Sequence, residues 1–300
     1  MSDRTPFFLV DVFSDTPLNG NPLAVVPDAD RLPEEVLPRI AREFNQAETT
    51  FLLPPTVPGA DVRLRSFTAG GVEVFGAGHN ALGAWWWLAD SGRLGTLAPV
   101  EPTLRHQQLG TTVLPVTIAP GTDGRLDVGL RQSPPEYGHE ITDTATLAAA
   151  LGLDVDALGA AGLPVAQTVS TGASHLMVAL RSPETVDAAR PDAERLRGLL
   201  PGVGGQGVYL YAVAGDASGA GAYTRFVNPM AGIVEDPATG SAAGPLACLL
   251  HRAGLAGDAL TIRQGQALGR PSDIRVTLSD GAPTVTGGAC LAASGELVLP

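Results

Sequence analysis

A chain of 300 residues with 44% hydrophobic and 17% charged side chains is long enough for one large domain or two of ordinary size, and too apolar for intrinsic disorder. Its net charge is −12 and all 19 basic residues are arginine, so the lysine that a pyridoxal-phosphate Schiff base or a P-loop requires does not exist here. No basic cluster suits nucleic acid, no apolar run reaches the ~18 residues of a membrane span, and the N-terminus MSDRTPFFLVDVF lacks the apolar core of a signal peptide, so a cytoplasmic protein without nucleic-acid or membrane partners is expected.

Glycine and proline punctuate many short apolar runs, the pattern of a strand-rich chain. In the first half the spacing predicts strands at Phe7–Phe13, Leu23–Val26, Thr50–Leu53, Val62–Phe67, Thr112–Ile118 and Leu126–Leu130, with helices at Pro33–Phe44 and Ala81–Asp90. In the second half it predicts strands at Val165–Val169, Leu176–Leu180, Gly207–Val213, Ala222–Phe226, Leu260–Gln264, Ile274–Leu278, Thr284–Thr286 and Glu296–Leu299. Helices are predicted there at Thr144–Leu151, Asp192–Leu200 and Ser241–Ala253. Neither GxGxxG nor the regular strand–helix alternation of a Rossmann fold occurs. The run Trp85–Trp87 cannot occupy one helix face, so at least one ring is expected at the surface, a domain interface or a partner subunit.

An internal echo runs through the chain. At a constant offset Ala81–Gly95 aligns with Ala242–Ala256, matching Gly83 to Gly244, Leu88 to Leu249 and Leu94 to Leu255. Each helix follows a Gly-containing turn, Gly76–His79 or Thr239–Gly240, and a Phe-containing strand precedes each turn. Two similar halves are expected, parted near the turn-rich Ala119–Gly124, with a small-molecule site in the cleft between them.

The second of these turns, VEDPATGSAAGPLA (Val234–Ala247), carries the strongest chemical signal. A helix start offers unpaired N–H groups and partial positive charge. Gly240 permits close approach and the Ser241 hydroxyl adds a donor or acceptor. Ser241 reads equally as an N-cap. Asp236 reads as a helix cap, as an acceptor for a loop donor, or as the partner that fixes a histidine tautomer. His79, at the turn into the other helix, is either a proton carrier or a polar residue in a glycine turn capped by Asn80. Glu48 stands at a helix–strand junction, where it is either a solvated turn residue or a carboxylate directed into a cleft.

Other chemistries find little support. The five histidines (His79, His106, His139, His175 and His251) show no metal-ligand spacing, and no GxSxG elbow is present. Cys248 and Cys290 form no CxxC and are expected as free thiols.

Read together, VDVFSDTPLNGNPLAVV (Val10–Val26), FNQAETTFL (Phe44–Leu52), RSFTAGGVEVFGAGHNALGA (Arg65–Ala84), TRFVNPMAGIVEDPATGSAAGPLA (Thr224–Ala247) and IRQGQALGRPSDIRV (Ile262–Val276) resemble the PhzF-like family. These are the phenazine-biosynthesis isomerase relatives with the diaminopimelate-epimerase fold. The resemblance implies an α+β protein of two pseudo-symmetric domains, each a curled, mostly antiparallel sheet around a central helix. The implied domains are residues 1–121, completed by 284–300, and residues 122–283, with the active site between them. It implies cofactor-free proton chemistry without a metal. Glu48 would be the acid/base of NxxETTF, His79 the histidine of the GH turn and Asp236 the aspartate of EDPxTGS. Gly78, Asn80, Gly240 and Ser241 would contact a small carboxylate-bearing substrate. A homodimer is expected on the same grounds and from the tryptophan run.

Two departures stand out. Family members commonly read AGHPT where this chain reads Ala77-Gly78-His79-Asn80-Ala81, and PFAGH where it reads Phe75-Gly76-Ala77-Gly78-His79. Related two-thiol racemases carry a cysteine at each helix start, where this chain has Ala77 and Pro237, which disfavours thiol chemistry. The expected reaction is a proton shift that moves a double bond, in biosynthesis of a secondary metabolite. An epimerase or dehydratase of a small amino or hydroxy acid, an amide or ester hydrolase or lyase, and a non-catalytic binding protein are the alternatives.

Overall fold

In chain order the strands and helices are β1 (Arg4–Val12), β2 (Asn21–Val26), α1 (Leu37–Phe44), β3 (Glu48–Leu53), β4 (Val62–Thr68), β5 (Glu73–Val74), α2 (His79–Asp90), β6 (Thr103–Leu109), β7 (Thr112–Pro120) and β8 (Leu126–Arg131). There follow β9 (Glu136–Glu140), α3 (Thr144–Leu151), β10 (Ala166–Ser170), β11 (Ser174–Ala179), α4 (Pro183–Ala188), α5 (Ala193–Val203), β12 (Gly207–Val213), β13 (Ala222–Asn228) and β14 (Ile233–Asp236). The chain ends with α6 (Gly240–Arg252), β15 (Ala259–Gln264), β16 (Ser272–Ser279), β17 (Ala282–Gly287) and β18 (Ala289–Val298). The structure is a computed structural model that describes residues 4–98, 101–121, 124–214 and 221–299. It is α+β, and its strands outnumber its helices.

The chain divides into two compact units, Met1–Leu130 with Thr286–Pro300, and Arg131–Val285. The first crossing therefore follows β8 rather than the turn at 119–124, which joins β7 to β8; residues 122 and 123 of that turn lie outside the described residues. Strand β18 starts earlier than the predicted Glu296–Leu299. It pairs with β1 from Arg4↔Val298 to Val12↔Ala289, its Ala, Ser and Gly residues having masked it from hydropathy.

Both units repeat one topology. In the first, β18, β1 and β2 are antiparallel neighbours, β2 runs parallel to β3, β3 antiparallel to β4, and β4 pairs antiparallel with β5 and parallel with β6 before β6 turns back into β7. In the second, β9, β10 and β11 are antiparallel, β11 runs parallel to β12, and β12 antiparallel to β13. Strand β13 then pairs antiparallel with β14 and parallel with β15, which turns back into β16. Helix α2 occupies the same place in the first series as α6 in the second.

Side-chain alternation gives each sheet two faces. In the first unit Phe51 and Phe67 pack with Leu37 and Ile40 of α1. Their neighbours Thr50 and Ser66 must face the other way, toward α2. In the second unit Leu176, Val178, Val208, Leu210 and Val227 pack with Leu147, Leu196 and Leu200 of α3 and α5, leaving His175, Tyr209 and Phe226 on the α6 face.

Helix α2 overturns the surface and partner-subunit alternatives for the tryptophan run. Trp85, Trp86 and Trp87 are all buried, as is every residue from His79 to Ala89, and α2 packs on β1, β2, β3 and β7. A helix apolar on all sides belongs inside a core. Trp85 Nε1 donates to Gln107 Oε1 at 3.0 Å, and Trp87 packs against Phe8. The run offers no surface for a second copy of the chain. Gly83 explains how so bulky a helix fits, since a Cβ there would lie 2.6 Å from Val12 Cγ2 and 2.7 Å from Leu23 Cδ2.

Each unit also carries an Arg–Glu ion pair, partly buried in the first unit and more deeply in the second, that ties its β-hairpin together. Arg65 of β4 meets Glu73 of β5 with Nε and Nη2 at 2.8 and 2.9 Å from the carboxylate oxygens. Arg225 of β13 meets Glu235 of β14 in the same bidentate way, at 3.0 and 2.8 Å. These hairpins lead directly into the turns that start α2 and α6.

Candidate active site

Glu48, Gly78, His79 and Asn80 belong to the first unit, and Asp236, Gly240 and Ser241 to the second. Glu48 opens β3, where it lies opposite Thr68 on β4 and beside Leu23 on β2. The chain reaches it from α1 through Asn45, a left-handed residue that ends the helix. Period-two alternation places Glu48 on the same side of β3 as Thr50, the side that faces α2. The side chain is half-buried, at the strand edge of the junction.

A hydrogen-bond chain ties that face of β3 to the start of α2. Thr50 Oγ1 and Ser66 Oγ lie 2.8 Å apart, and Asn80 Nδ2 donates to Ser66 Oγ at 3.1 Å and to Gly76 O at 3.0 Å. Asn80 Oδ1 accepts the Gly78 N–H at 2.8 Å. Asn80 is 1% exposed. Its amide is therefore committed to shaping the glycine turn, and the Gly78 N–H is taken by it. The N-cap of α2 is Gly78, not Asn80. The first helical bond runs from Leu82 N to Gly78 O, so the N–H groups of His79, Asn80 and Ala81 lie ahead of the helical ladder.

His79 is the first residue of α2 and is buried, with Nε2 lacking a hydrogen-bond partner. Burial lowers its pKa to about 4, so the imidazole is neutral at pH 7. A neutral ring at this position can accept a proton at one nitrogen and donate at the other.

The second unit builds a different polar group at the equivalent place. Asp236 ends β14 and is buried, and Thr239 Oγ1 donates to its Oδ2 at 2.5 Å. Gln264 of β15 braces the turn: Nε2 donates to Asp236 O at 2.7 Å and to Thr239 Oγ1 at 3.0 Å, while Oε1 accepts from Thr239 N and from Tyr209 OH. Gly265 closes the turn in the left-handed region at φ +88°, where a Cβ would lie 2.6 Å from Pro237 O. Thr239 is the N-cap of α6, so Ser241 is not. Helical bonds begin with Ala242 and Ala243, both to Thr239 O, which leaves the Gly240 and Ser241 N–H groups ahead of the ladder. Gly240 O accepts from Gln132 Nε2 at 2.9 Å. Ser241 Oγ lies 3.1 Å from His175 Nε2.

Sequence reading missed His175, Gln264 and Ser66 as parts of these groups. Only the QGxxxGRPS segment pointed at Gln264, and nothing in spacing singled out the other two. Cys248 lies well inside α6, buried, its thiol pushed up to about 11 by desolvation. Among the described residues no group of three or more His, Cys, Asp or Glu side chains is arranged to hold a metal ion. Among them, too, no helix is long and apolar enough to cross a membrane.

The sequence profile described as phenazine biosynthesis-like protein, PhzC-PhzF, matches residues 10–295. The chain belongs to the PhzF family. A relative from Pseudomonas aeruginosa, named trans-2,3-dihydro-3-hydroxyanthranilate isomerase, is 35% identical over 270 residues, covering 89% of this chain and 87% of its own. The protein named uncharacterized isomerase YddE of Escherichia coli O157:H7 is 33% identical over 294 residues, covering 94% of each chain. The crystal structure of a PhzF-family phenazine biosynthesis protein from Bacillus anthracis superimposes with a TM-score of 0.87 at 26% identity, over 99% of this chain and all of that one. The chain thus has the fold of the PhzF family and is an enzyme of an isomerase family.

Proposed function

We propose that this PhzF-family protein is a cofactor-independent isomerase that moves a proton, and with it a double bond, on a small unsaturated carboxylic acid. Glu48 is the acid/base. It removes a proton from a carbon conjugated to the unsaturated system and returns it at another position on the same face. Neutral His79 holds the substrate or relays a second proton. The Gly240 and Ser241 N–H groups at the start of α6, with the Ser241 hydroxyl, bind the carboxylate and stabilise the charge that develops on the conjugated system. Asp236, braced by Thr239 and Gln264, orients the α6 turn.

The observation that carries this reading is the Thr50–Ser66–Asn80 chain. It fixes the side of β3 that bears Glu48 to the first turn of α2, where a neutral imidazole is buried. The substrate class comes from the Pseudomonas aeruginosa relative, whose named substrate is a cyclohexadiene bearing amino, hydroxyl and carboxylate groups. A role in secondary-metabolite biosynthesis and a homodimer are proposed on family membership alone; sedimentation measures the latter.

The test is incubation of the protein with a panel of small unsaturated carboxylates, trans-2,3-dihydro-3-hydroxyanthranilate among them, in deuterated water, read by NMR. Deuterium at a shifted position is expected, with turnover by Glu48→Gln lowered by about 10²–10⁴. Deuterium wash-in with inversion and no bond shift identifies an epimerase, and loss of water a dehydratase. Tight binding without exchange identifies a binding protein. A folded Glu48→Gln with full turnover removes Glu48 from the acid/base role.

A further inference from the structure

His175 is a buried titratable group that the proton chemistry above leaves unused. It stands on the α6 face of β11, 3% exposed, its ring packed edge-on to Phe226 at a centroid distance of 5.0 Å and 85°. Nε2 lies 3.1 Å from Ser241 Oγ, while Nδ1 is buried with no hydrogen-bond partner. Burial lowers the pKa to about 4, so near neutral pH the ring carries a single proton.

Where that proton sits follows from the unequal cost of buried defects. An orphaned buried N–H is rarer than an under-used buried acceptor. A proton on Nδ1 would leave a buried N–H without an acceptor and would make Nε2 an acceptor for Ser241. A proton on Nε2 leaves only a lone pair unsatisfied and gives Ser241 Oγ a donor. The second state therefore prevails. Ser241 Oγ is then an acceptor toward His175, and its own single proton is directed elsewhere. Ser241 is half-buried, and its side chain has no other hydrogen bond among the described residues.

We propose that His175 is a positioning residue: as the Nε2–H tautomer it fixes the Ser241 hydroxyl as a donor, so that this hydroxyl and the Gly240 and Ser241 N–H groups form an all-donor subsite selective for a carboxylate over the matching carboxamide. This rests on the reading of Ser241 as a substrate contact. A carboxylate presents acceptors to every donor of such a subsite, whereas a carboxamide turns N–H groups toward some of them.

The test has two readouts on the full chain. Long-range ¹H–¹⁵N spectra of the unliganded protein at pH 7 are expected to show His175 protonated at Nε2 alone. Protonation at Nδ1, or a charged ring, overturns the assignment whatever the substrate is. The second readout is the affinity ratio of anthranilate to anthranilamide. Wild type is expected to favour the acid at least about ten-fold, His175→Phe to lose most of that ratio, and His175→Gln, which keeps a side-chain N–H, to recover it. A folded His175→Phe with the wild-type ratio overturns the positioning role. If Ser241→Ala leaves anthranilate affinity unchanged, the substrate-contact reading fails, and the tautomer spectrum still decides what His175 does. The spectrum also decides if His175→Phe does not fold.

Discussion

Acidification is expected to destabilise the protein well above the pH at which its carboxylates titrate. His79 and His175 are buried, and desolvation lowers each pKa from 6.5 to about 4. A histidine held neutral in the folded state but free to protonate when unfolded favours folding fully above the unfolded pKa. Its contribution then declines as pH falls from about 6.5 toward 4, because the unfolded chain binds the proton first. The penalty is about 2 kcal/mol per histidine at pH 5 and about 3 kcal/mol at pH 4. If both units unfold in one transition the two add to about 4 kcal/mol at pH 5, a large part of the 5–15 kcal/mol that stabilises a typical domain. Carboxylates held low by cationic partners, such as Asp28 against Arg93, lose their contribution only at lower pH, so the interval from 6.5 to 5 reports the histidines. Urea unfolding at fixed pH steps measures this directly. Each of His79→Gln and His175→Gln should flatten the pH dependence by its own share. Variants that unfold with the wild-type slope, or imidazole resonances that titrate near 6.5 in the folded protein, would refute the reasoning.

Three further outcomes follow from the same geometry. Asn80→Ala leaves the Gly78 N–H, Gly76 O and Ser66 Oγ without their buried partner, and should cost about 2–3 kcal/mol by urea unfolding while lowering turnover more than Thr56→Ala does. Arg225→Ala strips a buried ion pair and the hydrogen bonds of the guanidinium to Val186 O and Ala189 O; a loss of about 3–5 kcal/mol is expected, against under about 1 kcal/mol for Arg4→Ala at the exposed Arg4–Glu296 pair. Gly265→Ala drives a Cβ into the backbone carbonyls of Arg270 and Pro237 at a positive φ, so a loss of at least about 2 kcal/mol in urea unfolding is expected, with weakened ligand binding at α6.

How much of this was legible in the sequence depends on whether a residue's role is local. Strands such as β12 and β16, and helices α3 and α6, were readable because apolar periodicity and turn residues act over a few positions. Strand β6 was not, because its centre is Arg105-His106-Gln107-Gln108. Both glutamines are buried, Gln107 under Trp85 and Gln108 bonded to Thr56 and Val57, so the strand looks polar while lying in the core. The all-round burial of α2 was hidden for the converse reason. Three successive tryptophans suggest a surplus only until a sheet packs on several sides of the helix. Glu48, His79 and Asp236 stood out through long motifs. Ser66 and His175 did not, since each acts through a partner distant in the chain, and only the fold makes that partner a neighbour.

The twin Arg–Glu clamps show what the repeat preserves and what it lets go. Arg65 and Arg225, like Glu73 and Glu235, are not separated by the offset that aligns α2 with α6, so a fixed-offset comparison passes over them although their geometry is the same. What recurs is scaffold: the order of parallel and antiparallel pairings, the clamped hairpin, and a glycine at Gly83 and Gly244 where a Cβ would strike a neighbouring side chain. What differs is the polar group at each helix start. The first unit sets Thr50, Ser66 and Asn80 around a turn ending in His79, and the second sets His175 against Ser241 and Gln264 beneath Asp236. Packing constrains the scaffold at every position, because a one-residue slip would reverse both faces of a sheet. The helix starts carry no such constraint, since their N–H groups lie ahead of the ladder in both units. A duplicated frame of this kind can therefore carry a different polar group at each helix start without disturbing either core.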